Sequence, residues 1–236
     1  MKQIILAVAG CALCATSVFA QADMKEMKRT ISVRGEGVIT TAPDQVRLSV
    51  SVATRGENAS SAMRSASAKT AEILAVLKNF GVDEKNIQTS RVNVSPTYDY
   101  SKQIQPPPIV GYNAANDFTV VFKGKLMEKV GEFMDKASAA GATNFGALQY
   151  ETSKQRELER DAMKKAADDA KARADVLAKQ LGASLGQVVT IAESATAGGP
   201  VPMMMKGAMM EAPSGPPVMQ GELSIRAEVS VVFELK

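Results

Sequence analysis

A chain of 236 residues with 28 basic and 25 acidic side chains carries a formal charge of only +3, so it lacks the strongly basic face that neutralising nucleic-acid phosphates requires. It has no histidine and no tryptophan, and its two cysteines, Cys11 and Cys14, both fall within the first twenty residues. If that stretch is removed, imidazole bases, thiol nucleophiles, metal sites built on cysteine or histidine and a disulfide framework are all excluded.

The opening stretch reads as a secretory signal peptide, residues 1–20. Lys2 is a short positive region, an apolar run starts at Ile4, and Val18-Phe19-Ala20 is a small-x-small cleavage site before Gln21. The run is shorter than the roughly 20 residues of a membrane span. Val8-Ala9-Gly10-Cys11 resembles a lipoprotein box that would leave Cys11 lipidated, but the apolar run before it is short, so cleavage near Ala20 is the preferred reading. Residues 21–28 form a polar lead-in. The remainder, 29–236, is long enough to bury about 70% of its unfolded surface around one core, and a single domain is expected.

A first strand begins near Thr30 with Ile31 and Val33 on one face, and Gly35 and Gly37 mark a bulge or a close backbone approach. Pro43-Asp44 ends it. Val46, Leu48, Val50 and Val52 then alternate with polar residues, a half-buried second strand. From Asn58 the period changes: Ala59, Met63, Ala66, Thr70, Ile73, Leu77 and Phe80 form one helical stripe, stopped at Gly81.

A third strand over about 86–96 breaks alternation between Ile87 and Val92, which predicts a bulge. A connection with three consecutive prolines leads to a fourth strand marked by Tyr112, Ala114, Asn116, Phe118, Val120 and Phe122. A second helix carries Leu126, Val130, Phe133, Ala137 and Ala140 and ends at Gly141; Phe145 to Thr152 reads as a fifth strand. The longest helix runs from Ser153, a plausible N-cap, to Gly182, with Met163, Ala167, Ala170, Ala174, Leu177 and Leu181 as its stripe and opposite charges on its outer face. A sixth strand spans Gln187 to Glu193. A Pro- and Met-rich loop follows at 196–219, and Leu223, Ile225, Ala227, Val229, Val231, Phe233 and Leu235 alternate in a seventh strand. The expected fold is α+β: a mostly antiparallel, mixed sheet of about seven strands covered by three helices, the third long.

Little in this pattern suggests chemistry. Gly35-Glu36-Gly37 lacks the third glycine and the following helix of a dinucleotide fingerprint. Ser67-Ala68-Lys69 lacks the Ser-x-x-Lys spacing of hydrolases that use lysine as base. Glu36 and Asp44 flank a turn, where carboxylates are ordinary. No catalytic, cofactor-binding or metal residue is assigned. The sharpest alternative is Cu(I) binding, or small-molecule binding, by the thioethers of Met203, Met204, Met205, Met209 and Met210, against the plainer reading of an adaptable apolar surface between subunits. Sacrificial oxidation of the same methionines is a third reading.

The stretches VRGEGVITTAPDQVRLSVSV, NIQTSRVNVSPTYDY, IVGYNAANDFTVVFK, DAMKKAADDAKARADVLAKQLGASLGQVVTI and VSVVFELK, in this order, resemble the SIMPL-domain family, in particular its periplasmic bacterial branch. The resemblance implies an α+β fold, a periplasmic or outer-membrane-associated protein, ring- or channel-like homo-oligomers, and a role in oxidative or envelope stress defence. It implies no catalytic residues and no cofactor. The expected partners are further copies of the chain and other envelope proteins, with no nucleic acid.

Overall fold

The computed structural model describes residues 29–101, 104–194 and 220–236. The signal peptide, the lead-in and the Met-rich loop therefore lie outside the described residues. Strands β1 (Thr30–Thr41) and β2 (Gln45–Gly56) precede helix α1 (Ala59–Asn79), followed by β3 (Ile87–Tyr98), β4 (Ile109–Lys123) and α2 (Val130–Ala139). Short strands β5 (Asn144–Phe145) and β6 (Gln149–Glu151) lead to α3 (Gln155–Gln180), β7 (Leu185–Ser194) and β8 (Leu223–Leu235).

The class is α+β with antiparallel pairing and a long third helix, as the sequence leads one to expect. The eight described strands form two sheets. One has the order β3-β4-β2-β5, with β6 also paired to β2; the other has the order β1-β8-β7. Residues 45–151 build the first sheet with α1 and α2, so that layer is an insertion between β1 and α3 of the second. The fifth strand expected over Phe145 to Thr152 is split by a one-residue slip in register: Gly146 still donates its N–H to the Ser49 carbonyl opposite it at 2.9 Å, but Gln149 pairs with Arg47, which leaves Ala147 and Leu148 together opposite Leu48.

The larger layer buries one face of β2 (Val46, Leu48, Val50, Val52) and of β4 (Phe118, Val120, Phe122) against Ile73 and Leu77 of α1 and Val130, Phe133 and Ala137 of α2. Phe133 meets Phe80 edge-on at 6.1 Å and Phe122 at 5.1 Å. Helix α1 opens with a reciprocal cap, in which Asn58 Oδ1 accepts the Ser61 N–H at 2.9 Å and Ser61 Oγ accepts the Asn58 N–H. Its first buried residue is Ala62, not Ala59 or Met63, and a methyl group added at Gly56 would overlap the Ala62 backbone. The bulge expected in β3 is present between Thr89 and Arg91. Gly81, Gly141 and Gly182 all take positive φ after their helices.

The smaller layer is built differently. Helix α3 buries Ala162, Ala166, Ala170, Ala174 and Ala178, one alanine per turn. Facing them, a methyl group added at Gly35 would overlap the Ala166 carbonyl and the Ala170 amide, and one at Gly37 would overlap the Ala162 carbonyl. Of the two readings of these glycines, the close approach is the observed one; β1 pairs with β8 without a register shift from Thr30 to Thr41. This corrects the stripe expected for α3. Backbone-to-backbone contact admits only methyl groups, so Ala167, Leu177 and Leu181 are exposed and Met163 lies at the margin. Ser153 does not cap α3, which starts after Lys154 with no side-chain cap; Ser153 is bonded to Asp44 instead.

Gly35→Ala is expected to lower stability by about 1–3 kcal/mol through overpacking, whereas Ala167→Leu on the exposed flank should change it by no more than about 0.5 kcal/mol. Chemical denaturation of both variants checks the register of the stripe; equal losses would return α3 to the expected one.

Candidate functional site

The sequence-level candidates for chemistry fall apart in space. Glu36 lies in mid-strand with its side chain exposed, and Asp44 lies beyond the end of β1, at the turn into the other sheet. Asp44 is committed to structure: its Oδ1 accepts the Ser153 N–H at 2.7 Å and its Oδ2 accepts the Ser153 hydroxyl at 2.6 Å. Gly35-Glu36-Gly37 is the seat of α3 and not a phosphate-binding turn. Ser67 is exposed on α1, and the aliphatic stem of Lys69 packs beside Gly141, away from any nucleophile. Among the described residues no group of three or more Asp, Glu, His or Cys is arranged to hold a metal ion. The five methionines considered for Cu(I) lie outside the described residues.

Electrostatic perturbations also trace to structural contacts. Arg47 forms a two-pronged pair with Glu151, Nε to Oε1 at 2.8 Å and Nη2 to Oε2 at 3.0 Å, and this bond raises its pKa further. Burial pushes the Tyr150 phenol up, and its hydroxyl has no hydrogen-bond partner among the described residues. The Glu36 N–H, bonded to Asp169 Oδ2 at 2.9 Å, holds the Asp169 carboxyl below its ordinary value, with Arg173 adding to the effect. That bond fastens α3 to the outer edge of β1.

What the surface offers is apolar contact. A cleft of about 410 Å³ between α1 and β3 is lined by Thr70, Leu74, Val82, Ile87 and Phe118, with Lys78 and Glu84 also on its walls. A second groove, about 600 Å³, runs between β1 and the C-terminal half of α3 and is lined by Ser32, Val33, Arg34, Ala172, Val176 and Leu177. Neither pairs a nucleophile with a base. Val176, Leu177 and Leu181 on α3 and Val188, Val189 and Ile191 on β7 are large apolar side chains left open to solvent. Sequence periodicity missed the α3 members because it assigned Leu177 and Leu181 to the core. The signal that finds them is the uninterrupted alanine at every fourth position opposite two strand glycines.

The family described as "SIMPL: Protein of unknown function (DUF541)" matches residues 31–233. The 26 kDa periplasmic immunogenic protein of Brucella melitensis is 30% identical over 226 residues, which cover 92% of this chain and 90% of that protein. The protein of the same name from Brucella abortus is also 30% identical. A protein named "Uncharacterized protein YggE" from Escherichia coli (strain K12) is 24% identical over 208 residues, 87% of this chain and 83% of the relative.

Because the folded state lowers the Asp169 pKa, its stabilising contribution is complete above the unfolded value near 3.8 and is lost as pH falls through the lower folded value. Asp169→Asn is therefore expected to be less stable than the parent at neutral pH, and the gap should close below about pH 3.8. Denaturation midpoints recorded from pH 7 to pH 2 check this; a gap of constant size would mean that the charge plays no part in holding the edge.

Proposed function

Because the chain belongs to the SIMPL family, we propose that it is a periplasmic, self-associating structural and interaction protein that serves in oxidative or envelope stress defence and carries out no chemistry of its own. The observation that carries self-association is the surface of the smaller layer. Six large apolar side chains, Val176, Leu177 and Leu181 at the C-terminal end of α3 and Val188, Val189 and Ile191 on β7 at the sheet edge opposite β1, are 47–77% exposed, and exposed apolar surface of this kind marks contact sites. The names of the Brucella relatives, which call those proteins periplasmic, support the compartment together with the signal-peptide reading of residues 1–20. Assembly into rings or channels, association with the outer membrane and contact with other envelope proteins belong to the same proposal.

Light scattering on the exported protein is expected to give a mass several times that of the protomer across micromolar concentrations. Monomer alone throughout that range would overturn self-association. For the stress role, a strain lacking the gene is expected to survive peroxide less well than its parent and to recover when the gene is restored; equal survival would remove that part of the reading.

A further inference from the structure

Among the described residues strand β1 is an edge of its sheet, and that edge is closed only in part. The Glu36 N–H points away from β8 to Asp169 Oδ2 at 2.9 Å, and the Val38 carbonyl faces Lys165 Nζ at 3.4 Å. Outward groups recur at every second residue of an antiparallel strand, so the N–H and C=O of Ser32 and Arg34 point the same way. Beside them α3 supplies no polar cap. It supplies Ala172, Val176 and Leu177, which with Val33 make the apolar groove of about 600 Å³. The guanidinium groups at its rim are already engaged, Arg34 with Glu228 at 2.8 Å and Arg173 with Asp169 at 2.9 Å, so their stems add to the apolar wall. Open ladder groups beside a trough for alternate side chains are what an added strand uses.

We propose that this groove takes the segment Met203–Met210 of a second copy of the chain, laid along Ser32–Arg34 as an added strand with its thioethers in the trough. The proposal rests on the self-association reading and names the contact that drives it. Between Ser194, the last residue of β7, and Leu223, the first of β8, residues 203–212 run without proline between Pro202 and Pro213, so each can donate an N–H to a ladder. Met203, Met204, Met205, Met209 and Met210 are unbranched and polarisable, suited to a groove of irregular wall. The chain from Ser194 to Met203 spans up to about 30 Å and that from Met210 to Leu223 up to about 40 Å, enough to reach across to a neighbouring copy. Within its own copy the segment leaves from β7, the opposite edge of the same sheet, and returns to β8. It would have to cross the sheet twice to reach β1, whereas a neighbour imposes no such path.

The sequence beyond Cys14 has no cysteine, so introduced thiols report cleanly. Exported protein carrying Ser32→Cys is mixed with exported protein carrying Met205→Cys and treated with a short bis-maleimide, and the linked peptides are identified by mass spectrometry. The expected product joins one chain of each kind, and Leu177→Arg, a change at an exposed position, is expected to weaken assembly at least tenfold by light scattering while the circular dichroism spectrum stays unchanged. Oligomers that persist with no such cross-link, or with Leu177→Arg fully assembled, overturn the groove contact and leave self-association standing. A cross-link formed only within single chains of the Ser32→Cys, Met205→Cys double variant overturns the second copy as occupant. Monomer alone in every sample overturns both readings.

Discussion

The two sheets are held in one chain path by a single carboxylate. The backbone leaves the smaller layer at Ala42–Asp44 and comes back to it at Thr152–Lys154, and Asp44 bonds both the amide and the hydroxyl of Ser153. Its own N–H goes to the Glu151 carbonyl at 3.1 Å, and its carbonyl accepts the Gly124 N–H at 3.0 Å. One residue thus fixes where β1 ends, where β2 and β6 meet, where β4 turns away and where α3 can begin. The ends of this insertion are brought together by the pairing of Gln45 with Glu151, and the charge-assisted bonds of Asp44 tie that junction to Ser153, ahead of α3. Pro43, buried at the same corner, carries no N–H that would need a partner there.

From that junction α3 runs back along β1, and its packing follows a second constraint. With glycine at 35 and 37 and alanine at each contact of the helix, the two backbones approach until only methyl groups fit between them. The layer gains close backbone contact and holds a small core of Val33, Val229, Val231, Phe233 and the stripe alanines. The larger layer holds most of the bulky buried side chains, including Phe118, Phe122, Phe133, Leu48, Ile73 and Leu77. A helix seated on methyl groups has no room beneath it for leucine or valine. Val176 and Leu177 are therefore on the flank because of the seat, and the apolar groove is a by-product of the same geometry that holds the helix down.

How much of this was legible in sequence follows from which signals are local. The alternation of β2 and β8 and the glycines that stop each helix are written in neighbouring residues, and each lies where the periodicity places it. The division into two sheets is not local: β1 and β2 look alike in pattern, and only the pairing of β1 with β8, some two hundred residues away, separates them. The α3 stripe failed for a subtler reason. A search for the most hydrophobic face favours Leu177 and Leu181, yet the buried face is the one complementary to two glycines on another element. The role of Asp44 was equally hidden, since its partner Ser153 reads from sequence as a helix cap.

The free edges sharpen the argument about function. Sheet edges invite pairing with other chains, and proteins commonly blunt them with bulges, proline, charge or shortness. Strand β3 has register shifts at Thr89/Arg91 and Thr97/Tyr98 and carries Pro96; β7 shifts at two places; β5 and β6 span two and three residues. Strand β1 has no bulge and no proline over twelve residues, and its charged side chains are Arg34, paired with Glu228, and Glu36. It is guarded by side chains of α3, and only at Glu36 and Val38. A bulge in β1 would have misplaced Gly35 and Gly37 and unseated the helix, so the regularity that α3 requires is also what keeps this edge fit for pairing. The end nearest Ser32 is where the charged guards of α3 give way to alanine, valine and leucine. In a chain whose candidate nucleophiles and carboxylates are scattered or committed to structure, that apolar stretch is the ground on which the proposed contact between copies rests.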